Sequence, residues 1–465
     1  MRVRPRSCAG FRLSLIVAVV LILSSQAQGT PPWDYVFAVT TDYGPSGTFS
    51  IADVVPPWSV DVNLGSIHSD AVARHHGGLI YVVNRLYADN IQVLDPQQDF
   101  ATVIQFSVGP GSNPQDIAVV SPDRAYVSRY ETAWLYEVDP TVGAVVDSID
   151  LSGFADADGL PEMGQMALVG DLLFVAIQRL DRDDFWLPVS PSYLAVIDTN
   201  TNALVDADPV APGIQGIELT GLNPTSEIQV DEEEGIIYVG ESGRWNVSDG
   251  GIDAVDAVGL TALGFVTTED QLGGDLDDFT LPVNGRAHAV VSVSTPGWEA
   301  YCVSFDWTDG DLIDEVWRPG GFSVEDIEVH PGTGQLFLCD RTYTDPGVRV
   351  FKVADGSQLT TGPLSVGLPP FDLVIVGDAV TGVGDTPTEP GLTLQAASNP
   401  GGAEALVAFT LPSGGFVRLD IYDVSGRHVR ELERGPLGEG EHVASWDGRD
   451  SRGRPAASGV YFVKM

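Results

Sequence analysis

The chain has 465 residues, 43% of them hydrophobic, with 65 acidic against 24 basic side chains and a formal net charge of -41. This length and apolar content suit a globular protein of more than one domain. The strong negative charge opposes binding to nucleic acid and to anionic membrane surfaces, and it favours cations or basic partners.

Residues 1–29 have the pattern of a signal peptide for export. Four arginines precede an apolar run from Leu13 to Leu23, and small residues at Ser25 and Ala27 suit cleavage after Ala27. The run is short for a bilayer span, and a retained anchor is the alternative. The sequence therefore predicts a protein that is secreted or at the cell surface, with no transmembrane segment in the mature chain.

The stretch from Pro114 to Ile149 contains four short strands of alternating apolar and polar residues, separated by turns. Its opening strand recurs at intervals of 46 to 62 residues, at Asp70, Asp116, Gln165, Glu227, Asp278, Asp326 and Asp372. A four-stranded sheet repeated at about this period is typical of a β-propeller. The predicted fold is therefore all-β, with a seven-bladed β-propeller over residues 30–377.

Both ends of the propeller sequence are needed to complete its first blade. The first repeat has only three strands, whereas Phe371 to Gly377 is left over after the seventh repeat and has the pattern of an innermost strand. We expect this segment to pair with the strand from Tyr35 to Thr41, because that pairing closes the ring and removes an open edge.

Within the repeats, IYVVN with IQVLDPQQ and AYVSR with LYEVDPTVG resemble the YVTN-type repeats of exported bacterial seven-bladed propellers. The resemblance covers about 350 residues and implies the fold. Such propellers range from binding scaffolds to lactonases and subunits of quinone-linked dehydrogenases, so the resemblance does not indicate one activity.

A linker rich in Gly, Pro, Thr and acidic residues is predicted over 378–391, followed at 392–465 by a small immunoglobulin-like (Ig-like) β-sandwich. IYDVSGRHVREL and GEGEHVASWDGRDSRGRPAASGVYFVKM resemble the Ig-like domain of the flagellar hook-capping protein, which also ends many exported proteins that carry a type IX secretion sorting tail. The resemblance implies a sorting or attachment module. Its expected core and turn residues are Trp446, Asp447, Gly448, Gly453, Gly459 and Tyr461.

The longest loops, at residues 152–164, 179–192 and 244–251, are predicted to lie on one mouth of the propeller, which favours binding there. Five arginines end predicted second strands and a sixth lies in the second of these loops. This candidate ligand-binding face consists of Arg85, Arg129, Arg179, Arg182, Arg244 and Arg341. The arginines either pair with acids of the innermost strands, such as Asp70 and Asp116, or hold a carboxylate ligand.

One of these loops also resembles part of a calcium-binding loop. Asp156, Asp158 and Glu162 supply hard oxygen ligands around the turn at Gly159. A solvated acidic turn is the alternative interpretation. Calcium is the one cofactor that the sequence suggests.

The sequence has no GxSxG, HExxH or phosphate-binding glycine loop. We therefore expect a binding protein for an unknown extracellular ligand or surface component. Two alternatives remain: a propeller-type hydrolase or lyase, lactonase-like, acting at the loop-rich mouth, and a structural component of the envelope.

Overall fold

The computed structural model describes residues 34–295 and 297–377, and beyond them the strands and a few turn residues of the C-terminal module between 393 and 464. The chain divides into two units, one over Gly29–Val383 and one that includes Gly384–Met465. The predicted signal peptide at 1–29 and the predicted linker at 378–391 lie outside the described residues.

The first unit is a ring of seven antiparallel sheets, which confirms the predicted seven-bladed propeller. Strands are numbered 1 to 4 within each blade from the central channel outwards. In this order they are Pro370–Val376, Tyr35–Thr41, Ser46–Asp53 and Val60–His68 in blade 1; Ala71–His76, Leu79–Asn84, Asn90–Asp95 and Ala101–Ser107 in blade 2; Pro114–Ser121, Arg124–Arg129, Trp134–Asp139 and Ala144–Asp150 in blade 3; Met163–Val169, Leu172–Ile177, Tyr193–Asp198 and Ala203–Val205 in blade 4; Gln229–Asp231, Ile236–Glu241, Gly251–Asp256 and Thr261–Thr268 in blade 5; Asp275–Phe279, Arg286–Val293, Glu299–Asp306 and Leu312–Trp317 in blade 6; and Val324–His330, Gln335–Asp340 and Gly347–Lys352 in blade 7.

Short elements complete this unit. In blade 7, single bridges from Gln358 to Phe351 and from Leu364 to Val348 occupy the outer edge. The remaining elements are the hairpin strands Leu180–Asp181 and Leu187–Pro188, the strand Ile217–Glu218, the 3-10 turns Pro96–Gln98 and Ser152–Phe154, and the helix Glu269–Leu272.

The pattern of side chains explains why these segments form strands and turns. Strand 2 of blade 2, Leu79–Asn84, is buried on both faces apart from its first residue, whereas strand 4 of blade 3 exposes all but Ile149. Most third strands end in an aspartate whose side chain accepts the N–H two residues on, as Asp95 does from Gln97 at 2.8 Å and Asp139 from Thr141 at 2.8 Å. These Asx turns set the ends of the strands.

The core lies between neighbouring blades. In the cluster shared by blades 1 and 2, the rings of Phe37 and Phe49 stack with centroids 5.0 Å apart, and Phe100 packs 5.8 Å from Phe49. Cys302 and Cys339 are both buried free thiols. Each blade therefore covers the apolar faces of its two neighbours.

The two ends of the unit pair as predicted. Pro370–Val376 runs antiparallel to Tyr35–Thr41, with Tyr35 opposite Val376 and Val39 opposite Asp372. Outside this ladder, His330 Nε2 of blade 7 lies 2.9 Å from Asp34 Oδ2. The pairing of Pro370–Val376 with Tyr35–Thr41 closes the ring and gives blade 1 its fourth strand.

Buried aspartates of the innermost strands join one blade to the next. In each case, a carboxylate oxygen accepts a backbone N–H from the innermost strand of the following blade. The four bonds are Asp116 to Met166 at 2.8 Å, Asp278 to Ile327 at 3.1 Å, Asp326 to Leu373 at 2.9 Å and Asp372 to Ala73 at 2.9 Å. Because an innermost strand has no sheet partner on its channel side, these bonds use donors that would otherwise lack a partner.

The register corrects the alignment of blade 2. Ala73 faces Val82 as Ile117 faces Val127 in blade 3, so the position of Asp116 is occupied in blade 2 by Val72. Asp70, aligned with Asp116 from the sequence, lies two residues earlier, before the strand begins. The error arose because Asp70 is followed by Ala-Val-Ala, just as Asp116 is followed by Ile-Ala-Val, so the two segments look alike in the sequence.

The C-terminal module contains two three-stranded sheets. One joins Thr393–Ala397, Ala405–Leu411 and Gly440–Trp446, and the other joins His428–Leu437, Gly415–Asp423 and Tyr461–Lys464. Val417, Leu419 and Ile421 are buried. This arrangement agrees with the predicted β-sandwich.

The predicted core tryptophan of this module is buried. Trp446 is 1% exposed, and its indole N–H donates to the Arg449 carbonyl at 2.9 Å. Gly448 has a φ of +66°, which suits the predicted turn, and Tyr461 begins the last strand. Asp447, Gly453 and Gly459 lie outside the described residues. None of the described helices is long and apolar enough to cross a membrane.

Strand closure makes a stability prediction. A chain that ends after Gly367 lacks the innermost strand of blade 1, which exposes the buried edge and apolar face of Tyr35–Thr41. We expect it to melt well below a chain that ends after Gly377, which retains that strand and lacks only the linker and the C-terminal module. Thermal melts followed by circular dichroism compare the two, and equal melting temperatures would contradict the closure.

Candidate functional site

The central channel is lined by carboxylates. The position equivalent to Asp116, on or just before the innermost strand of each blade, is occupied around the ring by Val72, Asp116, Gln165, Glu227, Asp278, Asp326 and Asp372. Val72 packs into the apolar cluster between blades 2 and 3. Two residues further along these strands stand Arg74 in blade 2 and Glu328 in blade 7. The lining therefore combines six carboxylates with one guanidinium.

Arg74 partly compensates these acids. Its Nε lies 2.9 Å from Asp116 and 3.5 Å from Glu227, and another guanidinium nitrogen donates to Gln165 Oε1 at 2.6 Å. Burial alone would lower the pKa of Arg74, but the surrounding carboxylates raise it above its usual value. Arg74 therefore stays charged and ties together the innermost strands of blades 2, 3, 4 and 5.

Five of the six channel acids have a raised pKa and so resist ionisation. Burial raises the pKa of Asp372 to about 7, with Glu227 adding to the rise and Arg74 opposing it. Burial also raises the pKa of Glu227, Asp278 and Glu328. At the mouth where the innermost strands end, a cavity of about 410 Å³ opens beside Glu328, Gln229 and Thr280.

Two of the six predicted arginines meet at the other mouth, which carries the loops joining strand 2 to strand 3 and strand 4 to the next blade. The guanidinium carbons of Arg85 and Arg341 lie 5.4 Å and 5.5 Å from the centre of the Phe371 ring. Arg85 Nε donates to Asp70 at 2.8 Å, as one interpretation of the sequence expected. Arg341 pairs with Glu325 rather than with an acid of the channel ring.

Three others are held inside their own blades. Arg129 stacks on Tyr136 with its guanidinium carbon 3.6 Å from the ring centre, while Asp116, its expected partner, binds Arg74. Arg179 donates to the Pro191 carbonyl at 2.7 Å. Arg244 pairs with Asp249 at 2.6 Å. The six arginines thus do not converge on one point.

The sixth arginine lies at the predicted calcium loop. Arg182 Nε is 2.8 Å from Glu162, which is fully buried, and 3.4 Å from Asp158. Asp156 accepts the N–H of Asp158 at 3.1 Å within the loop. In the described part of the chain, no set of three or more Asp, Glu, His or Cys side chains is grouped to hold a metal ion. Calcium binding at this loop remains a prediction.

The exposed aromatic side chains lie on the loop-rich mouth. Within the described residues there are nine, and each lies on a loop from strand 2 to strand 3, at the end of such a loop, or on a loop from strand 4 to the next blade. We call them the aromatic crown: Tyr43, Tyr87, Trp134, Phe185, Trp186, Trp245, Trp298, Phe322 and Tyr343. Every blade contributes at least one of them.

Contacts between neighbouring blades hold parts of the crown together. Trp245, Trp298 and Phe322 form a triangle with ring centroids 5.4 to 6.0 Å apart, although each side chain is about half exposed. On the other side of the mouth, the rings of Tyr130 and Trp186 stack at 6.4 Å, and Arg182 lies 4.5 Å from the Trp186 ring. These two parts of the crown are therefore packed, whereas Tyr87, Phe185 and Tyr343 are almost fully exposed.

Sequence reasoning missed both the crown and the one arginine of the channel. Arg74 was not singled out because the alignment of blade 2 was displaced by two residues. The signal for the crown was present in the aligned repeats, since each blade has an aromatic residue just after its second strand. That recurrence becomes visible only when loops, and not strands alone, are compared between blades.

Comparison with known proteins agrees with both parts of the fold. Residues 395–465 match the FlgD Ig-like domain, so the chain carries this domain at its C-terminal end. A putative 6-phosphogluconolactonase from Bacteroides fragilis is 14% identical, with 76% of this chain and 100% of that one covered and a TM-score of 0.51. A second, from Bacteroides uniformis, is 12% identical, with 74% and 100% covered and a TM-score of 0.52. At such identities the likeness shows the propeller fold alone. No curated protein matches the chain.

The channel makes a prediction about pH. The pKa of Asp372 is about 7 in the folded protein, whereas that of an aspartate in the unfolded chain is about 4. The contribution of Asp372 to the free energy of unfolding therefore falls as pH rises between these two values. Arg74→Gln removes the cation that opposes this rise in pKa. We expect the loss of stability to reach about 3 kcal/mol at pH 8, where the acids ionise, and to be smaller at pH 5.

Urea denaturation at both pH values measures this difference. Arg318→Gln is the matched control, because its partners Glu299 and Glu315 lie on the outer strands of blade 6, are 27% and 51% exposed, and each contribute only about 0 to 1 kcal/mol. Equal losses at pH 5 and pH 8 for Arg74→Gln would contradict the assigned electrostatics.

Proposed function

We propose that the chain is an exported binding protein, secreted or held at the cell surface. Its propeller recognises a cationic extracellular ligand or surface component at the loop-rich mouth. Its Ig-like domain serves sorting or attachment, as the FlgD Ig-like match suggests. The proposal keeps the two parts of the chain in separate roles.

The aromatic crown is the observation that carries this proposal. Exposing large aromatic side chains to water is unfavourable, and apolar surface grouped on a rigid scaffold usually marks a binding site. The crown occupies one mouth, while the turns of the opposite mouth expose aliphatic residues such as Val142 and Val258. This one-sided distribution supports recognition at the loop-rich mouth.

Electrostatics indicate the sign of the ligand. Aromatic faces attract cations, and the chain as a whole carries 65 acidic against 24 basic side chains, with Arg74 of the channel already paired. Arg85 and Arg341 at the mouth are also paired with acids. A guanidinium or ammonium group would gain both from the rings and from the negative field.

The same charges argue against the enzymatic alternative. The structural neighbours named above are putative 6-phosphogluconolactonases, and a phosphorylated lactone is an anion. A mouth whose arginines are paired, on a chain with a formal net charge of -41, opposes such a substrate. A lactonase-like activity is therefore the less favoured function.

The test is isothermal titration calorimetry, in which the protein is titrated separately with nona-arginine, nona-glutamate and neutral dextran. We expect only nona-arginine to bind. Trp245→Ala with Trp298→Ala removes two aromatic faces and leaves the charge unchanged, so it should weaken binding about tenfold, at about 0.5 to 1 kcal/mol for each exposed ring.

Val142→Ala with Val258→Ala, on the opposite mouth, is the control and should bind like the unaltered protein. If the tryptophan variant binds nona-arginine as tightly as the unaltered protein does, net charge alone attracts the peptide. That result would contradict a binding site at the aromatic crown. Self-association without binding would instead favour the structural role in the envelope.

A further inference from the structure

A pair of buried acids in blade 5 faces one another without a counter-ion. Glu241 is the last residue of strand 2, and Asp253 lies on strand 3, two residues beyond the partner of Glu241. Both are fully buried, at 0% exposure. The charged groups that act on Glu241 are Asp253 and Glu269, which are also acids.

The other blades show what these two positions normally contain. In blade 7, Asp340 faces Gly347 as Glu241 faces Gly251, and Arg349 occupies the position of Asp253. There the two side chains form a buried ion pair. In blade 5, a carboxylate stands where blade 7 has a guanidinium.

Two more blades fill the positions with complementary groups. In blade 2 they contain Asn84 and Gln92, whose amides lie 3.5 Å apart, and in blade 3 they contain Arg129 stacked on Tyr136. Blade 5 is the exception among these polar pairs, because both of its groups are acceptors when ionised.

Three carboxylate oxygens at this point lack a hydrogen-bond donor from the protein: both of Glu241 and Oδ1 of Asp253. Asp253 Oδ2 accepts the N–H of Thr220 at 2.7 Å. The N–H of Gly221 lies near enough to lower the pKa of Glu241, but it is not in hydrogen-bond geometry, and burial raises that pKa well above its usual value. The Thr220 hydroxyl and the N–H groups of Ala254 and Gly264 lower the pKa of Asp253, but none of them makes a hydrogen bond to Oδ1. Because buried carboxylate oxygens ordinarily have partners, these three oxygens point to a group that the chain does not supply.

A main-chain carbonyl lies close to Glu241. A Cβ on Gly221 would lie 2.2 Å from Glu241 Oε2, 2.8 Å from Phe265 Cζ and 3.0 Å from the carbonyl oxygen of Asp249, so only a glycine fits here. Because both oxygens are within 3.0 Å of that position, the carboxylate and the carbonyl are near neighbours. Oxygen ligands that combine carboxylates and main-chain carbonyls are those that calcium prefers.

We propose that Glu241 and Asp253 bind a calcium ion inside blade 5, with the Asp249 carbonyl as a further ligand. The ion takes the place that the Arg349 guanidinium has in blade 7. A shared proton is the competing occupant, but it makes one O–H bond between two oxygens and leaves the third without a partner. A cation contacts all three.

The site also supports the aromatic crown. Asp249 lies in the loop that carries Trp245, and its side chain fixes that loop by accepting the Arg244 N–H at 2.7 Å. Calcium binding at the Asp249 carbonyl would therefore order the loop from strand 2 to strand 3. Calcium binding in blade 5 is independent of which ligand the crown recognises.

Thermal melts of the full chain in EGTA, in millimolar calcium and in sodium chloride of equal ionic strength test the proposal. With free calcium a hundredfold above Kd, we expect the melting temperature of the propeller to rise by about 4 °C, and sodium should not reproduce the rise. Equilibrium dialysis should give one fewer bound calcium for Glu241→Gln than for the unaltered chain. That variant should melt no lower than the unaltered chain in EGTA and should lose the calcium shift.

Two control variants make the assignment specific. Asp340→Asn removes the matching acid of blade 7, and Asp156→Asn with Asp158→Asn alters the other predicted calcium loop; both should keep the shift. If Glu241→Gln fails to fold, Asp253→Asn replaces it in the same measurements.

A calcium shift that survives in both blade 5 variants would overturn the proposal, as would a shift lost only in the Asp156 and Asp158 variant. The absence of any calcium shift, together with a Glu241→Gln variant that is more stable at every calcium concentration, would show that the two acids share a proton instead.

Discussion

The ring depends on buried carboxylates that accept main-chain N–H groups from the next blade. Asp116, Asp278, Asp326 and Asp372 make these bonds, and all four side chains stand around one narrow channel. Burial raises the pKa of Asp278, Asp326 and Asp372, and neighbouring acids add to the rise. Arg74 is therefore central to the innermost layer, because its charge opposes that repulsion. The hydrogen bonds that join the blades therefore bring an electrostatic cost, and one arginine offsets part of it.

Periodicity predicted the architecture because every blade repeats the same physical solution. Alternating side chains defined the strands, Asx turns marked their ends, and the unpaired strand at each end of the propeller sequence indicated how the ring closes. The same reasoning failed for contacts between individual side chains. Arg129 was expected to reach Asp116, but stacks on Tyr136, because periodicity gives the face of a strand and not the rotamer of a long side chain. For the same reason, the six predicted arginines, five of them at similar repeat positions, make separate contacts and do not converge on one point.

The repeats also allow one part of the molecule to be compared with another. Positions that are equivalent by register contain an amide pair in blade 2, an arginine on a tyrosine in blade 3 and an acid with an arginine in blade 7. None of these combinations places two acids together, although Arg129 Nε in blade 3 lacks a hydrogen-bond partner. Against this background, the acid pair of blade 5 stands out in a way that it would not in a fold without internal symmetry. The aromatic crown is recognised by the same comparison, applied to loops.

Closure of the ring by Pro370–Val376 has a consequence for the order of folding. Tyr35 and Val376 are neighbours in the sheet but 341 residues apart in the chain, so their contact has a very long sequence separation. Contacts of this kind form slowly, because a large loop must close before any pairing energy is gained. Until the last strand is present, blade 1 offers an unpaired edge to other chains. The nascent propeller is thus exposed to aggregation until synthesis has passed residue 376, and a chaperone that covers this edge would act on the molecule at its most vulnerable stage.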